Sequence, residues 1–234
     1  MKCQVCHSEN NLLIQHKVYK CSDCEHTFIN YTEDGVEYHK TLYRKPDQEG
    51  NRGVNEVENG KFTEQFHKRR EGICLNRMQV LQDILPECNT ALDIGAGGGT
   101  FLKMLEKEID TVEATEVSDL CAANLKEYGY KTYHGAFTQM DINSTYDLVT
   151  CWHVLEHIED LASYVEKVKK VASNYLVIEV PVNRRLRNPD TAFDGHFHYF
   201  SEKSFKKLFE NDFNFLYLGK GIQNPAILCI MQRK

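Results

Sequence analysis

Apolar positions in the second half of the chain fall into short runs, separated by glycine, asparagine and charged residues. Thr90-Ala91-Leu92-Asp93-Ile94 is followed at once by Gly95-Ala96-Gly97-Gly98-Gly99, which predicts a buried strand, a tight turn and a helix over 100–105. Further short apolar runs predict strands at 111–117, 131–134, 146–151, 175–181, 213–219 and 226–231. Helices are predicted over 118–128, 161–172 and 202–209, the last capped by Ser201. Phe66, Ile73, Met78, Leu81 and Leu85 recur at roughly helical spacing over 62–85, until Pro86 ends the run. Alternating strands and helices predict an α/β, doubly wound, Rossmann-like architecture with a seven-stranded, mostly parallel sheet across residues 62–234.

The first thirty residues follow another rule. Cys3, Cys6, Cys21 and Cys24 form C-x2-C-x14-C-x2-C, the spacing of a tetrahedral thiolate zinc site, and residues 12–20 between the pairs alternate as a hairpin. Residues 1–30 therefore read as a small zinc ribbon in which the ion folds a unit with little core of its own. Four thiolates leave no open position, so this Zn2+ is structural. His7 and His26 flank the knuckles and read as surface residues, while Cys74, Cys88, Cys121, Cys151 and Cys229 read as reduced thiols in apolar segments. Residues 31–61 carry glycines, His39 and three tyrosines but no sustained period, which fits either a linker or a lid over an acceptor.

Composition narrows the partners. A chain of 234 residues accommodates one full α/β domain and the ribbon. Its net charge of −6 counts against a general nucleic-acid partner. No apolar run is long enough to span a bilayer and the first residues lack a signal-peptide core, which implies a cytoplasmic protein with no membrane partner. Oligomeric state is not encoded legibly.

The glycine turn departs from the dinucleotide fingerprint, because Thr100 stands where a third fingerprint glycine belongs. Glu116 ends the next strand 21 residues after Gly95, at a distance suited to ribose hydroxyls. Together they suit an adenosine-containing ligand. Leu92-Asp93-Ile94-Gly95-Ala96-Gly97-Gly98-Gly99, Glu116, and Tyr146–Ile158 with its Val154-Leu155-Glu156-His157-Ile158 run resemble the motifs of class I S-adenosylmethionine-dependent methyltransferases, in the same order. The resemblance implies the fold of that family and S-adenosylmethionine as cofactor. It places Gly95, Gly97 and Glu116 on the cofactor, Asp93 at the turn near its sulfonium or amino group, Phe137 and Thr138 beside adenine, and Cys151 at the strand end facing the methyl.

Catalytic candidates cluster downstream. His153-x-x-Glu156-His157 matches an inverted zinc-protease pattern, and on a helix these three side chains would share a face. It also resembles the start of a family helix, and, with His153 replacing a glutamate, the Glu-x-x-Glu-His set by which some O-methyltransferases hold a divalent metal with a later histidine. A second divalent metal at Glu156 and His157 is therefore one reading. His196 and His198, in His-Phe-His-Tyr-Phe, are candidate general bases for an acceptor hydroxyl, with His153 as rival. Arg184, Arg185 and Arg187 read either as a solvated loop or as a clamp for a phosphate or carboxylate.

His196–Ser201 also resembles a stretch of sugar-modifying methyltransferases, some with a zinc ribbon. That implies a small-molecule acceptor: a sugar, sugar-nucleotide or phosphorylated metabolite of surface-polysaccharide or natural-product assembly. The chain ends after the last strand, without the extra domain of sugar C-methyltransferases, which favours O-methylation. An RNA methyltransferase and a non-catalytic binding protein of the same fold are the alternatives.

Overall fold

The computed structural model describes residues 2–15, 17–30, 57–58, 60–182, 195–223 and 225–234. Most of expected segment 31–61 and the arginines 184, 185 and 187 lie outside the described residues.

A seven-stranded sheet organises the chain. Its members are β6 (Thr90–Ile94), β7 (Thr111–Glu116), β8 (Lys131–His134), β9 (Tyr146–Trp152), β10 (Ala172–Pro181), β12 (Phe213–Lys220) and β13 (Ala226–Arg233), in the order β12-β13-β10-β9-β6-β7-β8. Strands β10, β9, β6, β7 and β8 are mutually parallel, and β13 is antiparallel to both β10 and β12. Because β6 has β7 on one side and β9 on the other, strand order reverses at β6, the point at whose carboxyl end open α/β sheets form their ligand crevice. This is the expected α/β architecture.

Helices cover both faces. On one, α1 (Glu64–Leu81) packs Cys74 and Leu81 into a cluster with Phe101, Leu148 and Trp152. On the other, α4 (Leu161–Val171) and α5 (Glu202–Phe209) bury Tyr164, Val168, Phe205 and Phe209 against Val149, Leu176 and Ile178. The short helix α2 (Leu102–Leu105) and α3 (Asp119–Glu127) complete the α/β alternation, with Ser118 capping α3. Helix α1 is shorter than the expected 62–85: the Thr63 side chain accepts from Phe66 N–H and fixes its start, and Pro86 lies in a separate 3-10 turn, Leu85–Glu87. Part of the expected linker is a two-stranded hairpin, β4 (Val57–Glu58) with β5 (Lys61–Phe62), held by the Asn124 amide on Gly60 O and by Phe62 N–H on Asn124 Oδ1.

The N-terminal hairpin forms as expected, from β1 (Asn11–Gln15) and β2 (Val18–Cys21), and β3 (Thr27–Ile29) extends it. A fourth strand comes from far along the chain. Segment β11 (His198–Tyr199) pairs antiparallel with β3, and Cys3, Val5, Cys21, Cys24 and Phe28 join the same core as α4 and α5.

Candidate active site

The carboxyl end of β6 forms one wall of the crevice. Gly95 adopts φ 74°, and a Cβ there would meet Val154 Cγ2 at 2.5 Å, so both backbone and space require glycine. Gly97, at φ 56°, has open space where its Cβ would be, the room a ligand backbone approach needs. Its N–H donates to Glu116 Oε2 at 2.6 Å, while Val117 and Ser118 N–H groups donate to Oε1 at 2.8 Å each. Glu116 thus fastens the end of β7 to the glycine turn; burial lifts its carboxyl above the ordinary range, against the pull of these three donors.

Asp93 is buried beneath the turn. Burial pushes its carboxyl up to about 7, with nearby Glu116 acting the same way; the Thr150 hydroxyl, donating at 2.6 Å, and the Arg77 charge oppose the rise. Arg77 went unnoticed in the sequence. It reaches from α1 to lie 4.8 Å from the Trp152 ring centroid, and its buried Nε finds no acceptor among the described residues. An indole face and distant carboxylates leave that guanidinium able to accept an anionic ligand group.

The opposite wall starts where β9 ends. His153 takes φ 57°, breaking the chain direction, and Leu155–His157 form a 3-10 turn; the helix expected for His153, Glu156 and His157 is absent. His153 instead spans two buried carboxylates: its Nε2 donates to Glu179 Oε1 at 2.8 Å, and its Nδ1 lies 3.6 Å from Glu156 Oε1. Burial acts to lower its pKa, but both glutamates outweigh that and raise it to about 9. At neutral pH it is a charged donor, which does not suit the expected base. Glu179, also missed in the sequence, uses Oε2 to accept from Ile222 N–H at 2.6 Å.

Glu156, His157 and His196 offer ligand atoms that all lie within 4.8 Å of one another. The His157 Nδ1–H donates to Gly195 O at 2.7 Å, so in the neutral ring Nε2 is unprotonated and lies 3.7 Å from Glu156 Oε1. This is the arrangement in which metal-binding histidines are usually held. Glu156 Oε2 is buried with no hydrogen-bond partner in the described structure. Burial opposes ionisation of Glu156, yet His153, His157 and His196 hold its carboxyl below the usual range. An ionised carboxylate with one unpartnered oxygen, close to two imidazoles, fits a divalent cation.

The two candidate bases of the His-Phe-His sequence part company. His196 packs edge-on to His157, 4.7 Å between centroids, whereas His198 is buried. His198 Nε2 donates to Ile158 O at 2.8 Å, its Nδ1 meets His26 Nε2 at 3.0 Å, and burial lowers its pKa to about 4. Such a ring cannot reach an acceptor hydroxyl. His26, expected at the surface, is fully buried for the same reason: β3 carries it under β11.

Two cofactor candidates also turn inward. Cys151 Sγ contacts Tyr164 OH at 3.0 Å, and the Phe137 ring packs 5.1 Å from the same tyrosine, because strand alternation sends Thr150 and Trp152, not Cys151, to the other face. Thr138 is exposed beside Phe137. In the N-terminal unit, Sγ atoms of Cys3 and Cys24 lie 3.6 Å apart and those of Cys6 and Cys21 3.5 Å. Tetrahedral zinc with bonds of about 2.3 Å places sulfurs about 3.8 Å apart, so the four thiols fit the ion.

Comparison with known proteins agrees with this fold. A family model described as a methyltransferase domain matches residues 66–217. The mitochondrial ubiquinone biosynthesis O-methyltransferase of Schizosaccharomyces pombe is 34% identical over 91 residues, 33% of this chain and 33% of that protein. Its Rickettsia conorii counterpart is 28% identical over 100 residues, covering 40% of this chain and 35% of that protein. The chain thus spans about a third of the length of the curated relatives it matches. Among solved structures, magnesium protoporphyrin IX methyltransferase of Synechocystis PCC 6803 with bound S-adenosylmethionine aligns with TM-score 0.56 at 15% identity, over 88% of this chain and 100% of that one. An amino pentose methyltransferase of Micromonospora echinaspora aligns with TM-score 0.57 at 14% identity, over 76% of this chain and 100% of that one. The family model spans more than half of the chain, and the protein belongs to the methyltransferase-domain family.

Proposed function

We propose that the protein is an S-adenosylmethionine-dependent O-methyltransferase acting on a hydroxyl of a small molecule. Bound in the crevice, the cofactor supplies an electrophilic methyl. Gly95 and Gly97 would admit its backbone-hugging end, Glu116 would offer remaining lone pairs to ribose hydroxyls, and Arg77 would meet its carboxylate. Asp93, which accepts from the Thr150 hydroxyl, would steady the turn, and Thr138 would stand beside adenine. Alignment of the acceptor accounts for most of the rate in such a transfer.

The observation that carries the acceptor assignment is the Glu156 carboxylate, which has one unpartnered oxygen and lies close to His157 and His196. These residues would hold a divalent cation, which when bound supplies Lewis acidity to a hydroxyl. His196 then serves as a ligand, and serves as the base if no second metal binds. The curated relatives are named for methylating oxygen in ubiquinone biosynthesis, and one structural neighbour for an amino pentose. A sugar, sugar-nucleotide or phosphorylated metabolite of polysaccharide or natural-product assembly remains our reading of the acceptor. We read residues 1–30 as a structural zinc ribbon and 62–234 as the methyltransferase domain. No described helix is long and apolar enough to cross a membrane, and we place the protein in the cytoplasm.

The test is calorimetric titration of metal-analysed protein with S-adenosylhomocysteine. Binding with a Kd of micromolar order and one equivalent of tightly held zinc supports the reading. Absence of binding overturns it. Turnover restored to chelated protein by added divalent ion supports the cation assignment; full turnover without that ion removes it.

A further inference from the structure

Residues Gly195–Tyr199 run as a strap between the ribbon and the turn that carries Glu156 and His157. Toward the turn, Phe197 N–H donates to Glu156 O at 2.8 Å, His157 Nδ1–H to Gly195 O at 2.7 Å, and His198 Nε2–H to Ile158 O at 2.8 Å. Toward the ribbon, Ile29 N–H donates to Phe197 O at 2.9 Å and β11 pairs with β3. The Ser201 hydroxyl donates to Cys24 O at 3.2 Å just beyond. The two histidines close the join. Because the Ile158 carbonyl can only accept, the His198 proton is on Nε2, so its Nδ1 is the acceptor and His26 Nε2 the donor of the 3.0 Å bond. That bond lies in a buried aromatic nest formed with Phe28 and Phe200.

We propose that His26 is a positioning residue: its hydrogen bond to His198 lets the zinc ribbon hold the strap in register and so places His196 against Glu156 and His157. The proposal rests on reading those three as a cation site. Without the His26 donor, the side-chain bond that ties His198 to the N-terminal unit is lost, and the strap is released from its register. The cysteine knuckle and the acceptor wall are thus one unit, and the ribbon belongs to the catalytic half of the molecule.

The full-length zinc protein is titrated with Mn2+ and followed by the paramagnetic resonance of free ion, with S-adenosylhomocysteine calorimetry and zinc content as internal controls. His26→Leu removes the donor but keeps volume; His26→Asn is too short to reach His198; His26→Gln can reach it. The first two are expected to weaken Mn2+ by about 10–100-fold, the range for supporting residues of metal sites, with S-adenosylhomocysteine affinity and zinc content unchanged. His26→Gln recovers most of the loss, which a simple fall in stability would not explain. Wild-type Mn2+ affinity in both His26→Leu and His26→Asn overturns the proposal. Should the wild type bind no Mn2+, the cation reading fails by itself; the coupling is then read from the imidazole nitrogen resonances of His157 and His196, which shift in His26→Asn and return in His26→Gln. Resonances identical to wild type in His26→Asn overturn it on that route.

Discussion

One wall of the crevice is made by a single stretch from Asp93 to Glu116, which satisfies itself through Gly97, Val117 and Ser118 N–H groups on one carboxylate. The facing wall draws on four distant places: the knuckle at Cys24–His26, the turn at Glu156–Ile158, Glu179 on β10, and the strap from Gly195. Local construction makes the first wall independent of the ribbon. Long-range construction makes the second depend on it.

Removing the proposed zinc would be the largest break. Structural zinc is worth about 10–16 kcal/mol in zinc-finger peptides, far more than β1–β3 can supply from so few apolar residues. Cys24→Ser is expected to lose the metal, the ribbon sheet and Mn2+ binding together. S-adenosylhomocysteine affinity should stay within about threefold, since each proposed cofactor residue is held by neighbours other than the N-terminal unit. Loss of cofactor binding as well would show the walls to be one unit.

Gly95→Ala makes the opposite cut. A left-handed backbone costs an alanine about 1–3 kcal/mol, and the clash with Val154 adds about 1–3 kcal/mol more. Calorimetry should find S-adenosylhomocysteine binding reduced by at least about thirtyfold with zinc content intact. Affinity near wild type would mean that Val154 yields, and that the turn is less constrained than its 2.5 Å approach implies.

Arg77→Met probes the first wall from the neighbouring helix α1. Hydrogen bonds to charged groups contribute about 1.5–3 kcal/mol, so S-adenosylhomocysteine should bind about 10–150-fold more weakly. Methylthioadenosine, which lacks the amino-acid carboxylate, should bind as before. Equal losses for both ligands would make Arg77 a packing residue under Trp152.

Legibility in the sequence followed the same division. Gly95, Gly97 and Glu116 could be picked out because strand, turn and carboxylate succeed one another at short range, and the seven strands because each is a compact apolar run. His153 could not be placed, because nothing in His153-x-x-Glu156-His157 announces a left-handed residue that replaces a helix by a 3-10 turn. His26 and His198 sit 172 residues apart and become buried only through each other. The alternation of His196 and His198 about Phe197 would put both rings on one side of an extended segment, and nothing in it announces that only His196 lies against His157. Arg77 lies on a helix whose buried positions, Phe66, Cys74 and Leu81, make only a thin apolar stripe, and a cation beside it reads as solvated until the fold brings Trp152 over it.

Asp93 gives an effect that is spread over pH and leaves the facing wall untouched. Its folded carboxyl titrates at about 7 against an ordinary 3.8. The folded protein therefore keeps a proton that the unfolded chain has released. The resulting stability is complete below the unfolded value, declines as pH rises through the interval between the two, and is gone above the folded value. The amide introduced by Asp93→Asn is neutral throughout and lacks this dependence. Urea midpoints of the ligand-free proteins should show wild type losing ground to Asp93→Asn from pH 5 to pH 7, by at most about 1.4 kcal/mol per pH unit, then running parallel above. Taking the difference between the two proteins cancels the zinc thiolates and the histidines of the other wall. Curves parallel over the whole range would mean that Thr150 and Arg77 outweigh burial and keep Asp93 ionised, making it a fixed charge beneath the glycine turn.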